Sequence, residues 1–306
     1  MNAASSPTIP QPPTSVPDRR VTVVVVHRNR PDSLPATVAA YMAQTDTDGV
    51  IVVDNGSDPA AERTLRGLPS SVEVIPTRAN LGFGPGANVG LRRWLRHLDT
   101  PWVAVTPHDA RPAVDTISKI LDEMPTHPGV GLVSADVGDG FRPVIDPFLG
   151  SIDSRPESEV GFDRSDYPHG TLMMARRDCL LEIGLFDERY FAYCEEADLG
   201  LRAAESGWGC GVVRGAIVDN PGMSSPVEMV AYLQLRNTLL MLREHYGRWN
   251  VIVRAGIALV EIPIGMLKPH RRGLHWSPSA RLTAIRHFMS RHFGPPPSSM
   301  IRVDGS

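Results

Sequence analysis

The sequence predicts an α/β protein with a mostly parallel central sheet flanked by helices and a helical, basic C-terminal extension. Three observations carry this. Residues 21–26 are a nearly unbroken β-branched run, the pattern of a strand covered on both faces. A second such run, at 50–53, follows a helical stretch at 33–44 and so completes a βαβ unit. Short apolar runs then alternate with helical segments as far as residue 134.

The elements follow in order. Residues 1–20 hold five prolines with Ser, Thr and Gln and no apolar signal core, so they read as a disordered lead-in. After the first βαβ unit come a helix over 60–67, a strand over 72–75, a glycine-rich turn, a helix through Trp94 and His97, and a strand over 102–105. A helix over 114–123 and a strand over 130–134 precede an irregular stretch, 138–167, rich in Gly, Pro, Asp and Ser. A structureless segment of that length is usually functional or disordered, and here it is the candidate acceptor loop or lid. A strand over 171–175, a helix over 177–183 and a helix ending near Gly207 follow, and the remainder is expected to be helical as far as Pro263. The domains are thus 1–20, 21–247 and 248–306.

Composition narrows the class. With 306 residues, 42% hydrophobic and 21% charged, the chain is an ordinary globular protein, not a collagen, a disordered chain or a multi-span membrane protein. Its three cysteines, Cys179, Cys194 and Cys210, show neither a disulfide framework nor zinc spacing, which fits a reducing cytoplasm. The net charge of -3 hides a basic tail: from residue 251 onward there are eight Lys and Arg against two acids. The body is acidic and the tail basic, and no nucleic-acid partner is expected.

In an open α/β sheet ligands bind at the carboxyl ends of the strands, so the loops there are the places to search. His27, Arg28 and Asn29 follow the first strand. Asp54 and Asn55 follow the second, where a carboxylate can accept from a base imide or a sugar hydroxyl and can equally cap a helix. The loop from Asn80 through Gly82, Gly84 and Gly86 to Asn88 allows close backbone approach and offers helix-start amides to an anion. It is not a dinucleotide fingerprint, because that motif follows the first strand of its unit. Asp109, after the fourth strand, is a hard-oxygen candidate for Mg²⁺ or Mn²⁺. Glu195, Glu196 and Asp198 cluster at a helix start, where mutual repulsion raises a carboxylate toward the range of a useful base, although acids there also complement the helix dipole.

Taken together these residues resemble glycosyltransferase family 2, the GT-A fold, in its rhamnosyltransferase-like branch. The matching segments are 21–31, Val52-Val53-Asp54-Asn55-Gly56-Ser57, Asn80-Leu81-Gly82-Phe83-Gly84 with Asn88 and Gly90, Asp109 with Pro112, Gly184-Leu185-Phe186-Asp187-Glu188-Arg189-Tyr190-Phe191, and Glu195-Glu196-Ala197-Asp198-Leu199 with Arg202, Gly207 and Trp208. They run in the family's order over residues 21–237. The resemblance implies an inverting sugar transfer from a nucleotide-diphosphate donor, dTDP-rhamnose-like or a UDP or GDP sugar, to an acceptor hydroxyl in cell-envelope polysaccharide or glycolipid synthesis. It implies that the loop after residue 26 and Asp54 hold the nucleoside, that Asp109 meets the diphosphate and its metal, and that Glu196 or Glu195 is the base, with Glu196 at the position where the family usually has the Asp of its Glu-Asp pair.

The sequence departs from the family at two places. Pro107 stands where a second metal-binding acid or Asn is usual, and Asp219-Asn220-Pro221-Gly222 stands where relatives often carry a His before a Gly-x-Ser turn. Asp219 is then the substitute metal ligand, with Arg78, Arg111 or Arg236 as cationic alternatives. These departures keep a second reading open, a degraded relative that binds a nucleotide or a partner as a scaffold. A nicotinamide oxidoreductase and a glycosidase fit less well, the first because of the glycine loop's position, the second because it needs no nucleotide loops.

Residues 251–267 are apolar but contain Arg254, Glu261 and Pro263, so they are not expected to span a membrane. An interfacial helix with a basic flank for anionic lipid, a helix packed on the catalytic domain and a homodimer contact are the alternatives.

Overall fold

The computed structural model describes residues 18–219 and 225–301. The disorder expected of residues 1–17 and the turn at 220–224 lie outside these described residues. Residues 18–20 are held in place, Arg19 reaching Asp46 at 3.0 Å and Asp122 at 2.7 Å.

β1 (Val21–His27) is buried throughout and central. Val21, Val23 and Val25 face one core, while Val24 and Val26 face the other, as its β-branched run requires. The chain continues through α1 (Leu34–Met42), β2 (Thr47–Asp54), α2 (Glu62–Arg66), β3 (Val72–Pro76), α3 (Phe83–His97), β4 (Trp102–Pro107), the short β5 (Arg111–Pro112) and α4 (Thr116–Glu123). Next come β6 (Val130–Asp136), β7 (Arg142–Asp146), β8 (Gly150–Ser154), β9 (Gly161–Ser165), β10 (Met173–Arg176), α5 (Arg177–Ile183), α6 (Glu195–Glu205) and β11 (Gly209–Asp219). Helices α7 (Val227–His245), α8 (Arg248–Leu267), α9 (Pro278–Met289) and α10 (Ser298–Ile301) end the described chain.

The main sheet runs β3-β2-β1-β4-β10-β6-β11-β5, with β9 also on β11. It is parallel through β3-β2-β1-β4 and again at β6-β11, and antiparallel where β10 joins β4 and β6. The chain winds outward from β1 to β3, then returns to place β4 on β1's other side. That reversal opens a crevice at the carboxyl ends of β1 and β4.

Three expectations need correction. The stretch after Gly207 is not all helical, because Gly209–Asp219 forms β11 inside the sheet. Gly211 is a packing feature: a Cβ there would run into the Phe162 ring. Its Arg214 is buried against Asp163 at 2.6 Å. Residues 138–167 are not structureless, since β7 and β8 form a hairpin and β9 joins the sheet. Pro263 does not end a helix, because α8 continues through it to Leu267.

The C-terminal helices share a third apolar cluster with α7, containing Tyr190, Tyr232, Leu239, Val251, Ala258 and Ala284. Val251, Ala258 and Gly265, seven residues apart, are the buried positions of α8.

Candidate active site

A cavity of about 880 Å³ opens at the crevice, and Pro107, His108, Asp109, Glu195 and Glu196 line it. Asp109 arrives on the turn after β4, and the two glutamates occupy the first turn of α6. Asp109 and Glu196, far apart in sequence, therefore face one space.

The turn that delivers the glutamates is strained. Phe191, Tyr193 and Cys194 have φ of 67°, 68° and 69°, in the left-handed region that non-glycine residues rarely occupy. Asn237 of α7 holds it, its Nδ2 donating to the carbonyls of Tyr190, Ala192 and Tyr193 at 2.8, 2.8 and 2.7 Å. Arg236, the candidate for screening a diphosphate, instead donates to Tyr190 O at 3.1 Å and Gly294 O at 2.8 Å and is fully buried. Arg78 and Arg111 are exposed and do not line the cavity.

Burial pushes the Glu196 carboxyl up to about 7. Burial, then the charge of Glu196, pushes Glu195 well upward, and its Oε2 has no hydrogen-bond partner among the described residues. Glu196 Oε1 lies against Gly170, where a Cβ would overlap it. Asp198 faces elsewhere. It accepts from Arg202 Nε at 2.9 Å and stands 3.0 Å from His245 Nε2, whose Nδ1 is 2.8 Å from Glu205. Burial alone would raise Asp198, but His245 and Arg202 outweigh it and the net shift is downward. Asp198 is thus placed to lock α6 onto α7, not to meet substrate.

The candidate nucleoside loops flank the cavity without lining it. Asp54 pairs in register with His27 across β1 and β2 and accepts from Ser57 N at 3.2 Å. The His27 ring sits edge-on to that of His108, with centroids 5.4 Å apart, so Asp54, His27, His108 and Asp109 form a continuous series. Burial, then His108, lowers His27 to about 4, and both its ring nitrogens lack hydrogen-bond partners among the described residues. Arg28 Nε is likewise unpartnered. Asn29 is bound to its neighbours, its Nδ2 donating to Asp58 at 3.0 Å.

The glycine loop has a different role from the one expected. Asn55 Nδ2 donates to Gly82 O at 2.8 Å, and Asn80 Oδ1 accepts from Gly82 N at 3.1 Å. Asn88 Nδ2 donates to Phe186 O at 2.9 Å. Gly82, at φ 97°, abuts Phe191 O, and Gly84 packs on Phe186 and Glu195. Asn55, Asn80 and Asn88 thus have their amides occupied in fixing α3 and the 186–191 turn. The loop carries the glutamates rather than presenting its glycines to the cavity. Asp219, at the exposed end of β11 opposite Arg111, does not line the cavity either.

Sequence reasoning missed the opposite wall. His169, Asp153 of β8, Arg254 of α8 and Arg281 of α9 all line the cavity. His169 Nδ1 accepts from Thr171 N at 3.2 Å, which fixes its proton on Nε2. No motif marks these residues, because the fold alone brings them there.

Among the described residues no cluster of three or more His, Cys, Asp or Glu could by itself hold a metal ion. Asp109 alone fits a different arrangement, a cation shared between one carboxylate, a diphosphate and water.

A parallel sheet with a crevice at its switch point, an acid on each side and a helical annex defines a GT-A glycosyltransferase. Residues 22–183 match the family model described as "Glycosyl transferase family 2", more than half of the chain, and the protein belongs to that family. It is 26% identical over 240 residues to N-acetylglucosaminyl-diphospho-decaprenol L-rhamnosyltransferase of Mycobacterium tuberculosis, covering 67% of this chain and 78% of that one. It is 30% identical over 199 residues to galactofuranosyltransferase GlfT1 of Mycolicibacterium smegmatis, covering 60% of this chain and 65% of that one. The mannosyltransferase PcManGT of Pyrobaculum calidifontis, solved with GDP-Man and Mn²⁺, shares the fold with a TM-score of 0.59 at 16% identity, covering 91% and 90% of the two chains. GalNAc-T7, solved with UDP, GalNAc and Mn²⁺, superposes with a TM-score of 0.62 at 13% identity, covering 89% of this chain and 56% of that one.

Proposed function

We propose that the protein inverts the anomeric centre of a nucleotide-diphosphate sugar, dTDP-rhamnose-like or a UDP or GDP sugar, as it transfers that sugar to an acceptor hydroxyl of a cell-envelope glycan or glycolipid at the cytoplasmic face of the membrane. The observation that supports this reading most is the shared cavity of Asp109 and Glu196. Glu196, raised to about 7, is unprotonated often enough near neutrality to accept the acceptor's proton, yet basic enough to hold it. The acceptor oxygen attacks the anomeric carbon as the bond to the diphosphate breaks, and the electron pair leaves with the phosphate oxygen. Holding the two sugars in line removes much of the entropic barrier.

Asp109 is the residue that would hold Mg²⁺ or Mn²⁺ with the donor's diphosphate. Such an ion supplies charge neutralisation for the leaving group. His27, Arg28 and Asp54 are the proposed nucleoside contacts, because their unpartnered or half-exposed polar groups adjoin the cavity through His108. The relatives named for rhamnose and galactofuranose transfer support the cell-envelope setting.

A thermal-shift screen of UDP, GDP and dTDP sugars, with and without Mn²⁺, identifies the donor. Turnover of the stabilising donor, with inversion read by NMR of the product, is the expected outcome. A protein that binds nucleoside diphosphate but never cleaves a nucleotide sugar is the scaffold instead.

A further inference from the structure

The cavity's far wall belongs to the C-terminal extension: Arg254 on α8, Arg281 on α9 and residues 273–275 between these helices. The two arginines differ. Arg281 is ion-paired to Glu261. Arg254 has Nε and Nη1 shielded from solvent with no hydrogen-bond partner among the described residues. Glu261 stands 4.0 Å from Nη1, beyond hydrogen-bond distance, and is already engaged by Arg281. Arg254 lines the same cavity as Cys194, Glu195 and Glu196.

A buried guanidinium without a partner is costly, and its planar fork matches a phosphate bidentately. The surroundings indicate which phosphate. Leu274 lines the cavity and is 87% exposed, and α8 turns Ile252, Leu259, Val260 and Met266 to the outside. The cavity therefore offers a base, a cation short of hydrogen bonds and an outward apolar surface. A sugar joined to an apolar chain through a phosphate presents a hydroxyl, an anion and a hydrocarbon to match. We propose that Arg254 anchors the phosphate or diphosphate ester that links the acceptor sugar to a lipid. This rests on the reading of Glu196 as the acceptor-side base.

The donor carries a diphosphate too, so the test separates the two sources. Calorimetry on the full chain uses farnesyl diphosphate as the lipid probe, farnesol as its uncharged control, and UDP, GDP and dTDP as the nucleotide arm. Wild type is expected to bind farnesyl diphosphate roughly tenfold or more tighter than farnesol. Arg254→Met should lose that margin, and Arg254→Lys should keep part of it. Nucleoside-diphosphate affinity should stay within about twofold in both. The melting temperature of Arg254→Met should not fall, because Nε and Nη1 of the group it removes make no hydrogen bond among the described residues and its ion pair with Glu261 is long, at 4.0 Å.

A parallel loss of nucleoside-diphosphate affinity would assign Arg254 to the donor and overturn the proposal. So would unchanged farnesyl diphosphate binding in Arg254→Met, no binding by wild type, or a lowered melting temperature in both variants. Binding is read without turnover. A fully active Glu196→Gln would therefore sink the base assignment while leaving the lipid-phosphate measurement to stand or fall by itself.

Discussion

Glu196 and Glu195 occupy adjacent positions at the start of one helix, and burial raises both. They titrate as a pair, so kcat/KM should climb with pH through an apparent pKa of about 7, where burial places Glu196, and level off above it. Glu196→Gln should lower turnover by at least about 10²-fold with donor affinity retained, and near wild-type turnover would remove it from the role. The stability effect has the opposite sign. A carboxyl raised in the folded state leaves the native protein with more bound protons than the unfolded chain, so stability falls as pH climbs from the ordinary carboxyl range to the folded value. Glu195→Gln escapes this and should melt higher than wild type at pH 8 by roughly 2–6 °C, measured by calorimetry. A lower melting temperature would mean that the Glu195 carboxylate has a stabilising partner. The acids themselves were visible in the sequence. Their division was not: Glu195 and Glu196 both line the cavity, Glu195 the more deeply buried of the two, and Asp198 is claimed by Arg202 and His245, because α6 presents successive residues to different neighbours.

Helix α7 holds the strained turn before α6, and one side chain does most of it. Asn237→Ala would remove this donor from the Ala192 and Tyr193 carbonyls and leave Tyr190 O to Arg236, and should cost about 2–4 kcal/mol in denaturant unfolding. A loss near zero would show that the turn supports itself. His245 joins the same two helices. Burial alone would lower its pKa, but Asp198 and Glu205 outweigh this and raise it. A raised histidine stabilises most below its unfolded pKa of about 6.5 and loses that contribution as pH passes the folded value. Wild type should accordingly lose stability across that window more steeply than His245→Gln. These supports were hidden in the sequence because α7 offers no motif. Strand β11 was hidden because its glycines read as breaks, although each one that meets a neighbour, such as Gly211 under Phe162, is there for close packing.

For the whole molecule, the open question is what α8 faces. It has 20 residues, is long and apolar enough to cross a membrane, and is mostly unburied. Yet Arg254 lines the cavity and Glu261 pairs with Arg281, which ties the two charges in the middle of the helix to the protein. We propose that α8 lies on an anionic lipid surface, with exposed Lys268, Arg286 and Arg291 around its apolar face. The protein should co-sediment with phosphatidylserine vesicles at low salt and be released at high salt. A stable dimer in light scattering with no vesicle binding would give the face to a second copy.

The sequence by itself determined the parallel half of the sheet and the acids at its strand ends. β-branched runs and strand-end carboxylates are local patterns, and the periodicity of a buried strand is written in the chain. Which of those acids share a cavity, and that the C-terminal extension walls it with Arg254, emerge only from the tertiary structure. Such placements depend on contacts between residues far apart in the chain, where local chemistry leaves no trace.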